Sequence, residues 1–206
     1  MSEIVDFPEN YFRGFVPARD ELLLELEEQA AAEGIPIVGP VVGGLLQLLA
    51  LYAGAARILE LGTANGYSGL HLARACSQRG GTLVTLESDP GLAERARRTF
   101  RRAGVADCVQ VVEAEALRAM RGMEAGQFDL AFIDIDKQDY QPALEECGRL
   151  LRGCGLLVAD NTGFPEAAGF NRSMHAHPGW RSVQLLTFLP GHSPERDGLC
   201  LAVRQP

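Results

Sequence analysis

From Arg57 onward, short apolar runs alternate with longer segments in which apolar residues recur every three or four positions. The runs cover 57–61, 82–87, 108–112, 128–133 and 155–159; the helical patterns cover 67–79, 90–103, 114–121 and 138–151. The runs are continuous rather than alternating. Strands of that kind are buried on both faces, as in a parallel sheet covered by helices. Near the end, "SVQLLTFLP" and "GLCLAVR" are two more strand patterns joined by a Gly/Pro-rich loop, which predicts an antiparallel hairpin at the sheet edge. The expected fold is doubly wound α/β: a mostly parallel sheet of about seven strands with helices on both faces, and a C-terminal hairpin supplying an antiparallel strand.

Upstream, residues 1–19 read as an arm without helical periodicity, with Phe7, Tyr11, Phe12 and Phe15 as aromatic anchors. A helix is expected from about Asp20 to Glu33, with acids in its first turn, Leu22, Leu23 and Leu26 on one face, and Gly34 as the stop. Between Ile35 and Ala56 the only strongly polar side chain is Gln47. A membrane helix needs about 20 such residues. Pro36, Gly39, Pro40, Gly43 and Gly44 are expected to break the first half, leaving a buried helix of roughly a dozen residues and no membrane span. No repeat or linker-like shift in composition divides the chain, so residues 1–206 are expected to form a single domain, with 1–34 as N-terminal arm and helix.

Charge narrows the partners. A net charge of −8 and a pI near 5.0 disfavour a large phosphate-neutralising surface. Five cysteines, odd in number and without a CxxC pair, suit reduced thiols. "MSEIVDFPEN" lacks the basic and apolar regions of a secretory leader, so the expected compartment is the cytoplasm.

In such a sheet, ligands bind beyond the carboxyl ends of the strands. The first strand ends in "ILELGTANGYS", which brings Glu60, Gly62, Gly66 and Ser68 to a small-residue turn at a helix start. The spacing Gly62, Gly66, Gly69 is not that of dinucleotide binders, and such glycines often serve only a tight turn. Glu87 strengthens the reading. It ends the second strand about 20 residues after that turn, where a carboxylate accepts hydrogen bonds from ribose hydroxyls. The fourth strand delivers Asp134, Asp136 and Lys137, and the fifth delivers Asp160 and Asn161. Asp134, Asp160 and Asn161 offer three hard oxygen donors, a set suited to Mg²⁺ or another divalent cation. Asp160 and Asn161 could instead only cap the following turn. Two acidic strand ends side by side favour the cation, because they would otherwise repel. Of the 19 Lys and Arg residues, only Lys137 is a lysine, and a lysine beside a cation can serve as a base where arginine cannot.

Together these segments resemble the class I S-adenosylmethionine-dependent, metal-dependent O-methyltransferases of the catechol and caffeoyl-CoA group. "PVVGGLL", "LELGTANGYS", "LESDP", "FIDIDKQDY" and "VADN" occur in that family's order, from Pro40 onward. The resemblance implies a Rossmann-like fold, S-adenosylmethionine (SAM) as cofactor, and Mg²⁺ or a similar ion at Asp134, Asp160 and Asn161. It also implies Lys137 as general base and Asp134 beside it in catalysis. Glu60, Gly62, Thr63, Gly66, Ser68, Glu87 and Asp134 would form the cofactor site, with Glu115 and its neighbours Ala114 and Ala116 along the adenine. The implied acceptor is a small phenol with vicinal hydroxyls. Two positions depart from the catechol enzymes: Asp136 replaces an aromatic, and Pro190 replaces the acid that holds the second hydroxyl. Glu195 in the loop "PGHSPERDG" is one candidate substitute, and His192 in the same loop could touch substrate.

Two rival readings remain. The first is methylation of a hydroxylated base in tRNA, with Arg95, Arg97, Arg98, Arg101 and Arg102 contacting phosphates; such a run is more often a solvated face paired with acids. The second is a non-catalytic SAM-binding module. His175 and His177 read as the end of a surface helix rather than a second metal site. Trp180 and the aromatic arm read as packing, with a homodimer as the expected assembly.

Overall fold

The computed structural model describes residues 5–206; residues 1–4 of the expected arm lie outside the described residues. The strands are β1 (Arg57–Leu61), β2 (Thr82–Glu87), β3 (Val109–Glu113), β4 (Phe128–Ile133), β5 (Leu151–Ala159), β6 (Trp180–Phe188) and β7 (Arg196–Arg204). They form one sheet in the order β3-β2-β1-β4-β5-β7-β6. The first five run parallel, and β7 lies antiparallel to both β5 and β6. The strand order reverses between β1 and β4, which in such sheets opens a crevice at their carboxyl ends.

Alternate residues of each strand feed opposite cores, as the two-residue period requires. Ile58, Leu83, Leu130, Phe132 and Val158 pack on one face with α2 (Glu21–Glu33), α3 (Gly39–Tyr52), α4 (Tyr67–Ser77) and α5 (Pro90–Arg102). Leu59, Leu86, Ala131, Ile133 and Leu157 pack on the other with α6 (Ala116–Arg121), α7 (Tyr140–Leu150) and α8 (Ala168–Ala176). No helix among the described residues is long and apolar enough to cross a membrane.

Three expectations need correction. α3 begins at Gly39, within the stretch expected to be broken. Pro40 sits in the first turn, where its missing N–H costs nothing. Gly43 and Gly44 give close approach to the His71 ring and Pro17. The arm contains a short helix, α1 (Pro8–Arg13), which buries no residue; Tyr11, Phe12 and Phe15 stack on one another instead. Finally, β5 starts at Leu151 rather than near 155, because a register shift opposite Phe128 and Leu130 extends the pairing. By contrast, α2 is capped as its sequence suggests: Asp20 accepts the Leu23 amide, and Gly34 closes the helix at φ 69°.

Candidate active site

The crevice holds a cavity of about 470 Å³, a size typical of small-molecule sites. Its walls come from the β1–α4 turn, the end of β2, the start of α6, the β4–α7 segment and residues 36–38. Of the cofactor residues expected from the sequence, Gly62, Thr63, Ser68, Glu87, Ala114, Glu115 and Asp134 line it, as does Lys137.

Glu60 and Gly66 do not line it. Gly66 makes the turn at φ 89° and faces Ala96 and Phe100. Glu60 is fully enclosed beneath the turn, where its Oε2 accepts the Thr85 hydroxyl at 2.6 Å. Its place is structural support rather than a cavity contact, because its strand position points into the core on the α4 side. Burial pushes its carboxyl up from 4.5 to about 7, against hydrogen bonds from Thr85 and Ser68 that favour the ionised form. Between pH 4.5 and 7 the folded protein holds a proton that the unfolded chain has lost. The cost is therefore absent below 4.5, grows across that window and is complete above 7, on the order of 3 kcal/mol. Glu60→Gln should gain stability relative to wild type as pH rises from 4.5 to 7. Thermal unfolding across that range checks this, and parallel curves would refute it.

Gly62 shows why the turn is built as it is. A Cβ there would lie 1.9 Å from the Asp134 carbonyl oxygen, so only glycine lets the tails of β1 and β4 converge. Glu87 then fastens the turn: Oε2 accepts the amides of Thr63 (3.3 Å) and Ala64 (2.9 Å), and Oε1 accepts that of Asp89 (2.9 Å). Three of the carboxylate's roughly four lone-pair sites are thereby used, and the remaining one is on Oε1.

Asp134 and Asp160 directly follow the paired residues Ile133 and Ala159, so the two acidic tips sit side by side. Burial, and then the charge of Asp160, push the Asp134 carboxyl up to about 6. Lys137 Nζ lies 3.3 Å from Asp134 Oδ1, above the rings of Tyr140 (5.5 Å) and Phe164 (5.9 Å). The Tyr140 hydroxyl donates to the Asp160 carbonyl at 2.9 Å, which ties the start of α7 to the end of β5.

Asp160 is 1% exposed, and its Oδ1 has no hydrogen-bond partner. Asn161 sits at φ 49°, a conformation asparagine tolerates. Its Nδ2 donates to Asp197 Oδ2 at 2.7 Å, which fixes the amide so that Oδ1 remains an acceptor. The other Asp197 oxygen accepts the amides of Gly163 and Gly198. Among the described residues no three His, Cys, Asp or Glu side chains form a metal-ligating cluster. The arrangement is instead two acids and an amide oxygen, and an unpaired buried carboxylate oxygen beside a second, half-buried acid fits a hard cation.

Asp197 was not legible as a site residue. Its one sequence signal is an Asp-Gly pair opening the last strand pattern. His192 reaches not the cavity but Asp160: Nε2 lies 2.8 Å from Oδ2, and Nδ1 lies 2.7 Å from the Pro194 carbonyl oxygen. Burial lowers the proton affinity of its ring, yet the Asp160 hydrogen bond and charge, with the Pro194 carbonyl, raise it overall. Glu195, the candidate substitute for the missing acid, turns outward to Arg13 (2.7 and 2.5 Å) and the Gly191 amide.

The arginines of α5 are mostly paired. Arg95 meets Glu33, Arg97 meets Glu94 and Glu113, Arg101 meets Glu94, and Arg102 meets Glu25.

The sequence model of the family described as O-methyltransferase matches residues 17–169. A catechol O-methyltransferase from Niastella koreensis is 38% identical over 165 residues, covering 78% of this chain and 74% of its own length. An O-methyltransferase from Bacillus cereus, solved in complex with SAH, is 32% identical with a TM-score of 0.83, over 96% of this chain and 97% of the other. The O-methyltransferase TomG from Streptomyces achromogenes, solved in complex with SAM, is 28% identical with a TM-score of 0.84, over 97% and 96%.

Proposed function

Because the chain belongs to the O-methyltransferase family and is a SAM-dependent O-methyltransferase, we propose that it methylates a small phenol bearing vicinal hydroxyls, assisted by a divalent cation. Asp134, Asp160 and Asn161 would hold the cation, Lys137 would act as general base, and Glu87 with the Thr63–Ser68 turn would hold the cofactor. The observation that supports this most strongly is the buried, unpartnered Oδ1 of Asp160 beside the half-buried carboxyl of Asp134.

SAM, when bound, supplies a methyl already activated by its sulfonium. A divalent cation, when bound, supplies Lewis acidity that lowers the pKa of a hydroxyl and favours acceptors with two adjacent oxygens. The remaining work belongs to the chain. Lys137 Nζ takes the proton from the acceptor hydroxyl, and Asp134 holds that amine in place. Glu87, already fixed by three backbone amides, offers the remaining lone pair of Oε1 to a ribose hydroxyl. Phe164, 37% exposed and close to Lys137, offers an apolar face to an aromatic acceptor.

The tRNA reading has less support, since four of its five arginines already have acid partners. Methyl transfer assayed on catechol, caffeate and bulk tRNA, with and without EDTA, separates the two. Turnover of the phenols that EDTA abolishes is the expected result, whereas turnover confined to tRNA would overturn the assignment.

A further inference from the structure

One buried side chain at the site has no place in the chemistry above. His192 lies in the loop between β6 and β7, and both its side chain and that of Asp160 are 1% exposed. We propose that His192 is a positioning residue for Asp160: it occupies Oδ2 and so leaves Oδ1 as a single, directed oxygen for the cation. The proposal rests on the cation reading given above.

The ring is held at both ends, by Asp160 Oδ2 at 2.8 Å and the Pro194 carbonyl at 2.7 Å, so it is a fixed donor rather than a passing contact. Its backbone is equally constrained. The His192 amide donates to Leu189 O at 2.9 Å, and the Leu189 amide donates to Glu195 O at 2.7 Å. The loop also presses against the start of α3, where a Cβ on Gly39 would overlap the Gly191 carbonyl. Outside, Arg13 of α1 grips Glu195 with two hydrogen bonds. A carboxylate free to rotate could offer either oxygen or both. With Oδ2 engaged and Oδ1 bare, Asp160 offers one. Hydrogen-bonding partners of ligand side chains commonly set metal affinity in this way.

The test is Mn²⁺ titration followed by electron paramagnetic resonance, without SAM or acceptor, on wild type, His192→Leu and His192→Gln. Glutamine keeps an N–H donor at the position of Nε2; leucine keeps the bulk only. His192→Leu should weaken Mn²⁺ binding about 10- to 100-fold, and His192→Gln should restore most of that loss. Melting curves of the metal-free variants establish that both are folded. If His192→Leu binds Mn²⁺ as wild type does, the positioning role is refuted while the cation reading stands. If pulsed spectra of the wild type show a nitrogen bonded directly to Mn²⁺ that His192→Leu lacks, His192 is a ligand and the proposal fails. If wild type itself binds no Mn²⁺, the cation reading falls and takes this inference with it.

Discussion

Replacing Lys137 by methionine should lower kcat for methyl transfer by about 10²- to 10⁴-fold, the range that a positioned general base contributes. Methionine keeps an unbranched apolar stem of nearly the same length but lacks the amine that lies over Tyr140 and Phe164 and so carries no base. Lys137→Arg is the sharper comparison. Arginine keeps the positive charge beside Asp134 yet cannot be deprotonated in a protein. If the amine serves as a base, both variants are slow. If it serves only as a charge, the arginine variant retains most of its rate. Calorimetric titration with SAM should show a far smaller change than kcat does, because the proposed cofactor contacts come from the β1–α4 turn and Glu87. A methionine variant with wild-type kcat would remove Lys137 from the mechanism.

Asp160→Ala should cost about 10³-fold in activity, since Lewis-acid assistance is worth several kcal/mol and each 1.36 kcal/mol is tenfold. The effect should coincide with loss of the cation: EDTA should reduce wild type to the level of the variant and leave the variant unchanged. The substitution also removes the second cause of the raised Asp134 carboxyl, which should then titrate below about 6. Burial, the larger cause, persists. An Asp160→Ala protein that is folded, active and indifferent to EDTA would contradict the assignment.

Much of this was readable from the chain alone, for a definite reason. Leu59, Ala131 and Leu157 belong to strands covered on both faces, and such strands write themselves as unbroken apolar runs. Their ends therefore stand out, and Glu87, Asp134, Lys137, Asp160 and Asn161 were found as charged or amide residues at those ends. Features that depend on packing between distant segments left weaker traces. Helix α3 starts among prolines and glycines because His71 and Pro17 come close to it, which local propensity does not register. Glu60 looked like a cavity residue because it ends an apolar run at a glycine turn, but its side chain faces the core and Thr85. Asp197 and His192 are brought in by β7, which inserts between β5 and β6 and sets Cys200 opposite Ala159. That antiparallel insertion carries Asp197 to Asn161 across 36 positions of sequence and His192 to Asp160 across 32. A hairpin was predicted, but its register against β5 was not, and the register alone determines which residues of the loop and of β7 meet the site.

The central claim is that Asp134, Asp160 and Asn161 share one cation. Crystals grown with Mn²⁺ and SAH, with diffraction recorded at the manganese edge, test it most directly. The predicted result is a single anomalous peak within bonding distance of a side-chain oxygen from each of the three residues. No peak between them, or carboxylates too far apart to reach one ion, would contradict it.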